Sequence, residues 1–174
     1  IFDYPQFPYR GFMLDVGRHY FPLETIKEVL DILSLHQVNE FHWHLTEDQG
    51  WRIEIKKYPR LTEIGSVRKG DPLPGNKGHD GIPRGGFYTQ EEIKEIVAYA
   101  SALGIEVVPE IDLPGHMLAA LASYPELGCT GGPYEVGCEW GVLDDVLCVG
   151  KEGTLDFVKD VLAEVMDLFP SRYI

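Results

Sequence analysis

Short apolar runs alternate along the chain with longer segments that repeat apolar residues every three or four positions. The short runs are rich in β-branched and aromatic residues and are bounded by turn residues, as in buried strands of a parallel sheet. Three strands are predicted on this basis, at 11–17, 39–46 and 105–112, and a fourth is expected to open at 172–174. Helical spacing predicts helices at about 22–35, 89–104 and 154–168, with a short one at 117–123. This order of strands and helices predicts parallel βαβ units.

The run at 105–112 ends in polar residues and is the stretch most indicative of a functional site. With alternating side chains, Val108, Glu110 and Asp112 share one face of this strand, and a Leu-Pro-Gly turn then brings in His116. Burying acids is costly unless they are paired or hydrogen-bonded. One acid alone would fit an anchor for a loop, but two acids and a histidine at one strand end favour a site.

The first two predicted strands also end in polar residues. Arg18 follows the first strand, and Glu47 and Asp48 follow the second. Sites form at the carboxyl ends of parallel strands in both doubly wound sheets and (β/α)8 barrels. The first strand lacks the Gly-rich phosphate-binding fingerprint, which argues against a nucleotide-binding doubly wound sheet. An eight-fold barrel takes about 250 residues, so this chain would supply roughly its first half.

A long loop follows the second strand and occupies 52–88. Its Gly- and Pro-rich portions are typical of turns, and loops of this length inside a compact domain are usually functional. Near its start, Arg52, Lys56 and Lys57 are predicted to form a solvated face.

The amino-acid composition and net charge make some classes of binding partner poor candidates. The chain has 174 residues, the size of one ordinary domain, and 44% of them are hydrophobic. Its net charge of −13, from 28 acidic against 15 basic residues, makes nucleic acid a poor partner. No apolar stretch is long enough to span a bilayer, so membrane insertion is not expected. Among the three cysteines, Cys129 and Cys138 would be able to bridge and leave Cys148 unpaired, although free thiols fit the sequence equally well.

Three blocks of sequence, 11–19, 42–52 and 108–116, carry a family likeness. In order and spacing they resemble glycoside hydrolase family 20, the β-N-acetylhexosaminidases. The resemblance implies an α/β fold, a parallel (β/α)8 TIM barrel that removes terminal N-acetylglucosamine or N-acetylgalactosamine from glycans. It also implies retention of configuration by substrate-assisted catalysis, no metal or other cofactor, and an extracytoplasmic or lysosomal location. The oligomeric state stays open.

The resemblance also implies roles for individual residues. Arg18 matches an arginine that binds sugar hydroxyls, for which a guanidinium presents several fixed donors. His116 matches a histidine that contacts the catalytic acid and is itself backed by a carboxylate. The backing position falls on Glu47, where the family more often has Asp, so either Glu47 or Asp48 would do the backing. Asp112 matches an acid that supports the same corner.

The family's catalytic Asp–Glu pair stands at the end of the fourth strand, and this sequence ends at Ile174, just before that pair is due. Residues 1–174 are therefore expected to be the N-terminal part of the catalytic barrel. This part would lack the general acid and would be inactive alone.

Two other functions also fit parts of the sequence. His42 and His44 lie on one strand face and, with Asp112 and His116, would suit a metal-dependent hydrolase barrel. Their position before the strand end favours packed histidines instead, so no metal ligands are assigned. A non-catalytic sugar-binding module would keep Arg18 without acid–base groups.

Overall fold

Seven strands and five α-helices make up the computed structural model, which describes residue 2 and residues 4–174. The strands are β1 (Gly11–Asp15), β2 (Glu40–His44), β3 (Thr46–Glu47), β4 (Gly50–Trp51), β5 (Val67–Arg68), β6 (Arg84–Gly85) and β7 (Glu106–Glu110). The helices are α1 (Leu23–Leu35), α2 (Arg60–Glu63), α3 (Gln90–Ala102), α4 (Leu118–Ser123) and α5 (Glu152–Leu168). Over this described part of the chain, none of the helices combines the length and apolar character needed to cross a membrane.

The strands β1, β2 and β7 form one parallel sheet in that order, joined through α1 and α3. The predicted parallel α/β arrangement is thus confirmed, and the predicted helices and strands lie within about two residues of their expected ends. The fourth strand expected at 172–174 is not formed. There the Arg172 N–H donates to the side-chain Oε1 of Glu106 at 3.1 Å, rather than to the backbone of a neighbouring strand.

The two faces of the central sheet differ in chemistry because side chains alternate along each strand. One face buries Phe41 and Trp43 in the hydrophobic core, which also includes apolar residues of α1, α3 and α5. The other face carries polar side chains near the strand ends. Asp15, His44 and Glu110 are cross-strand neighbours there, in register across β1, β2 and β7. The polar side chains of this face therefore lie at the edge of the sheet where the three strands end.

The prediction of a solvated face at the start of the long loop is wrong for Arg52. Its side chain is fully buried, whereas Lys56 and Lys57 are each 59% exposed, as predicted. Four backbone carbonyl oxygens accept its N–H groups at 2.5–2.9 Å: those of Val16, Gly17, Ser66 and Gly86. Burial lowers the pKa of Arg52 to about 10. The residue therefore acts as a buried tie between the end of β1 and the loop that holds β5 and β6.

Cys129 and Cys148 lie side by side on two segments of the Gly-rich loop before α5. Gly128 and Leu147 form an antiparallel bridge, and Cys129 and Cys148 each follow one of its two residues. The proximity of the two thiols raises the pKa of Cys129 and lowers the pKa of Cys148. Cys138 contacts a backbone carbonyl instead. The structure therefore favours a different pair from the one considered on sequence alone.

We expect oxidised glutathione to convert the Cys129 and Cys148 thiols into a disulfide. Two protons leave the thiols, and two electrons pass to the glutathione disulfide, which is reduced. Peptide mapping after alkylation should recover this bridge together with a free Cys138. A Cys138→Ser variant should form the same bridge, and a Cys148→Ser variant should form none. Recovery of a bridge between Cys129 and Cys138 in the unmutated protein would contradict this assignment.

Candidate functional site

Five polar residues lie at the edge of the central sheet where its strands end, here called the rim. Arg18 follows β1, Glu47 and Asp48 lie in the β3–β4 hairpin beyond β2, and Asp112 and His116 follow β7. Because the strands are parallel, their carboxyl ends are neighbours and short loops suffice to bring the side chains together. Direct contacts link four of the five, and Asp112 lies close enough to respond to their charges.

Glu47 is the centre of the rim, and its side chain is only 1% exposed. One oxygen, Oε1, forms an ion pair with Nη2 of Arg18. The other, Oε2, accepts the Asp48 N–H at 2.8 Å and lies 3.2 Å from Nδ1 of His116. A buried carboxylate needs such partners because desolvation otherwise penalises its charge. Burial and pairing thus hold Glu47 in one position between the arginine and the histidine.

The chain that leads to Arg18 approaches Glu47 closely. A Cβ atom on Gly17 would lie 2.7 Å from the Cβ of Glu47, so this position has room only for glycine. The Gly17 carbonyl oxygen accepts an N–H of Arg52 at 2.8 Å. The buried Arg52 therefore fixes the backbone from which the Arg18 side chain departs.

Arg18 is partly exposed and paired twice. Its Nη1 lies 2.6 Å from Oδ2 of Asp15, and its Nη2 pairs with Glu47. Burial lowers the pKa of Arg18, but the hydrogen bond to Asp15 and the charge of Glu47 together outweigh burial and raise it. The two carboxylates fix the guanidinium, which keeps further N–H donors for a ligand. The arrangement suits recognition of paired oxygen acceptors.

His116 is held between two carboxylates. Its Nδ1 lies 3.0 Å from Oδ2 of Asp48 and 3.2 Å from Oε2 of Glu47, so both acids reach the nitrogen. The Leu118 N–H fixes Asp48 from the other side, 3.0 Å from Oδ1. Burial raises the pKa of Asp48, and the hydrogen bonds from Leu118 and His116 oppose that rise. Engagement of Nδ1 sets the ring orientation and leaves Nε2 for another partner.

Asp112 is anchored through its backbone, since its N–H donates to Oγ1 of Thr46 at 3.0 Å. Burial raises the pKa of Asp112, the charges of Glu110 and Glu47 raise it further, and His116 opposes them. A carboxylate oxygen of Asp112 lies within 4.8 Å of donor atoms of Glu47 and His44, which places it at the same corner. Its role there stays a prediction.

A second polar cluster lies on the open face of the sheet beside the rim. His42 Nε2 and His44 Nδ1 both converge on Oε2 of Glu110, at 2.5 Å and 2.6 Å. Burial lowers the pKa of His44, but the neighbouring carboxylates of Glu47 and Glu110 outweigh burial and raise it to about 9. Burial raises the pKa of Glu110, yet its bonds to His44 and His42 bring it below the ordinary value. On sequence alone both histidines were predicted to be packed, and their shared partner was not found. His44 is buried, whereas the His42 side chain is 36% exposed.

Two sets of side chains have donor atoms close enough to hold a metal ion. The sets are His44, Glu47 and Asp112, and Glu47, Asp48 and His116, with the atoms of each set within 4.8 Å of one another. Both sets depend on Glu47, whose carboxylate already pairs with the Arg18 guanidinium. A divalent ion at either place would add positive charge beside a fixed cation, so the donor chemistry fits ion pairing better than coordination.

Known proteins resemble this chain along nearly all its length. The family description "Glycosyl hydrolase family 20, catalytic domain" matches residues 7–174. A "Beta-hexosaminidase" of Porphyromonas gingivalis is 53% identical over 171 residues, which cover 98% of this chain and 21% of that protein.

Solved structures also resemble this chain along nearly all of its length. A crystal structure of a beta-N-acetylhexosaminidase aligns with a TM-score of 0.90 at 40% identity, covering 97% of this chain and 35% of the other. A GH20 exo beta-N-acetylglucosaminidase from Vibrio harveyi in complex with N-acetylglucosamine aligns with a TM-score of 0.83 at 41% identity, covering 97% and 27%. The chain thus spans about a fifth to a third of the length of these relatives.

Proposed function

The chain belongs to glycosyl hydrolase family 20, and we propose on this basis that the complete protein is a β-N-acetylhexosaminidase. Its substrates are glycans that end in N-acetylglucosamine or N-acetylgalactosamine. The similar proteins support this proposal through their names, and one of them was solved with N-acetylglucosamine bound. The observation that carries it is the rim cluster, which sets a fixed guanidinium beside a histidine backed by two carboxylates.

The proposed architecture is a (β/α)8 barrel in which residues 1–174 form the N-terminal part. Two features support it: parallel strands that follow one another in sequence order, and polar residues gathered where those strands end. The relatives are three to five times longer than the matched region, as their covered shares of 35% and 21% indicate. Further strands of the complete protein would then close the barrel around the open polar face.

The proposed roles follow from the contacts at the rim. Arg18, fixed by Asp15 and Glu47, donates to hydroxyls of the terminal sugar. His116 uses Nε2 to contact the general acid, which the rest of the barrel supplies, while Asp48 and Glu47 hold Nδ1. Asp112 supports the same corner, where its carboxylate faces His116. No metal or other cofactor enters the reaction.

The proposed reaction is substrate-assisted. The oxygen of the 2-acetamido group attacks the anomeric carbon as the glycosidic bond breaks, and the general acid protonates the leaving oxygen. Water then opens the cyclic oxazolinium intermediate on the opposite face, so the anomeric configuration is retained. His116 and its carboxylates would tune the acid by hydrogen bonding and charge.

The test compares two substrates that differ only at carbon 2. The complete protein should cleave an aryl N-acetyl-β-glucosaminide at least about 1,000-fold faster than the matching β-glucoside, because the glucoside lacks the internal nucleophile. Product analysis by NMR at early times should show the β-anomer. Similar rates on both substrates would overturn the substrate-assisted reaction. Binding of N-acetylglucosamine without turnover would instead identify a non-catalytic sugar-binding protein.

A further inference from the structure

His44 lies beside the rim, and the roles proposed above do not use it. It is the last residue of β2, its side chain is 6% exposed, and it faces the open side of the sheet. Asp15 on β1 and Glu110 on β7 are its cross-strand neighbours. Glu47 follows three residues later and turns back toward it. An imidazole is therefore enclosed by acids from three directions.

Each ring nitrogen of His44 has a carboxylate to face. Nδ1 lies 2.6 Å from Oε2 of Glu110. Nε2 lies 3.7 Å from Oε1 of Glu47, and it is buried with no nearer hydrogen-bond partner among the described residues. A neutral imidazole donates from only one nitrogen, whereas an imidazolium donates from both. Only the protonated ring offers a proton to both acids.

A protonated His44 would help to keep the Glu47 carboxylate in position. Its Oε1 pairs with Arg18 and its Oε2 faces Asp48 and His116, so a shift of this carboxylate would move both proposed working groups. The 3.7 Å separation from His44 is in the range of an ion pair, in a place from which water is almost excluded. Charge attraction is stronger there than at the surface.

We propose that His44 is a positioning residue: as an imidazolium it holds Glu47 in the place where it serves both Arg18 and His116. Glu110 orients the His44 ring, and His42 shares the same Glu110 oxygen. This inference rests on the proposed glycosidase function for its kinetic readout. It adds to that function an ion-paired histidine, His44 on β2, which Glu110 on β7 holds in place.

The stabilisation of Glu47 by charged His44 should depend on pH. The acids that face His44 are Glu47, Glu110, Asp15 and Asp112, and His42 is the nearby titratable base. The neighbouring carboxylates of Glu47 and Glu110 outweigh burial and raise the pKa of His44 from 6.5 to about 9. Stabilisation by the charged ring is therefore fully present below about pH 6.5 and is lost as the pH rises through about 9.

The experiment compares His44→Gln with the matched control His42→Gln in the complete protein. Both changes remove an imidazole that contacts the same oxygen of Glu110, but only His44 also faces Glu47. We expect His44→Gln to lower kcat/KM about 10-fold or more at pH 7, with an increase in KM, and to abolish the loss of activity near pH 9. His42→Gln should change kcat/KM less than about threefold and keep that loss. Equal effects of the two variants, or an unchanged pH profile in His44→Gln, would overturn the proposal.

A second measurement does not need activity. NMR titration of the histidine rings should find one ring, absent from the spectrum of His44→Gln, that stays protonated up to about pH 8. Glu110→Gln should move its titration toward lower pH, because this change removes the partner of Nδ1. If the protein proves not to be a glycosidase, this titration still tests the charged state of His44. A ring that titrates near its ordinary value would contradict the proposal even in an active enzyme.

Discussion

Replacing Arg18 with alanine in the complete protein should lower kcat/KM for an aryl N-acetylglucosaminide roughly 100-fold, mainly through a higher KM. The guanidinium is held by Asp15 and Glu47, so its remaining donors are oriented before substrate arrives. Loss of two hydrogen bonds from a charged donor costs about 3 kcal/mol, which corresponds to the stated factor. These contacts exist in both the ground state and the transition state, so binding suffers more than turnover.

Two comparisons separate sugar binding from structural damage. Arg18→Ala also leaves the buried Glu47 without its arginine partner, whereas an Arg18→Ala/Glu47→Gln double variant removes the carboxylate charge and should recover thermal stability without recovering KM. His116→Ala should act differently, lowering kcat about 10- to 100-fold because it disturbs the acid rather than the sugar contacts. Identical changes of KM and kcat in Arg18→Ala and His116→Ala would count against these separate roles.

The gathering of the rim residues was predictable from sequence because it follows from topology alone. Arg18, Asp48 and His116 each follow a different strand, and parallel strands end side by side whatever the details of their packing. Which of Glu47 and Asp48 backs His116 was not predictable. The structure brings both carboxylates to the same nitrogen, at 3.2 Å and 3.0 Å, and the length of a side chain alone does not determine that arrangement.

The cluster around Glu110 was also beyond sequence reasoning, for a different reason. His44 and Glu110 are 66 residues apart, and they meet only because β2 and β7 pair in one particular register. A shift by one residue would send Glu110 to the other face of the sheet. Periodicity identifies which residues share a face of one strand, but it does not fix the register between strands. The proposed role of His44 therefore became visible only in the structure.

The burial of Arg52 is a third feature that could not be predicted from the sequence. Charged residues at the start of a long loop are normally solvated, and nothing in the local sequence distinguishes Arg52 from Lys56. Its burial depends on backbone carbonyls that come from the end of β1 and from residues 66 and 86. Several strands must already be in place before these acceptors surround it. A guanidinium suits this position because it offers five donors in a fixed plane, which a lysine lacks.

Replacing Arg52 with methionine should lower the free energy of unfolding by about 3–5 kcal/mol, because each buried acceptor that loses its donor costs about 1–3 kcal/mol. Methionine fills part of the space but leaves carbonyl oxygens of Val16, Gly17 and Ser66 without donors in a buried place. Relief from burying a cation offsets part of this loss, since burial already lowers the pKa of Arg52 to about 10. The net effect is still large because several acceptors depend on one side chain.

The matched control is Lys56→Met, four residues further along the same loop. Lys56 is 59% exposed and pairs with an exposed Glu91 at 3.6 Å, so this change should stay within about 0.5 kcal/mol of the unmutated protein. Chemical denaturation of both variants measures the difference directly. Because Arg52 also holds the Gly17 carbonyl ahead of Arg18, the folded fraction of Arg52→Met should bind N-acetylglucosamine more weakly than Lys56→Met does. Equal stability of the two variants would mean that the carbonyls around Arg52 find other donors, and that the tie between β1 and the loop does not depend on this side chain.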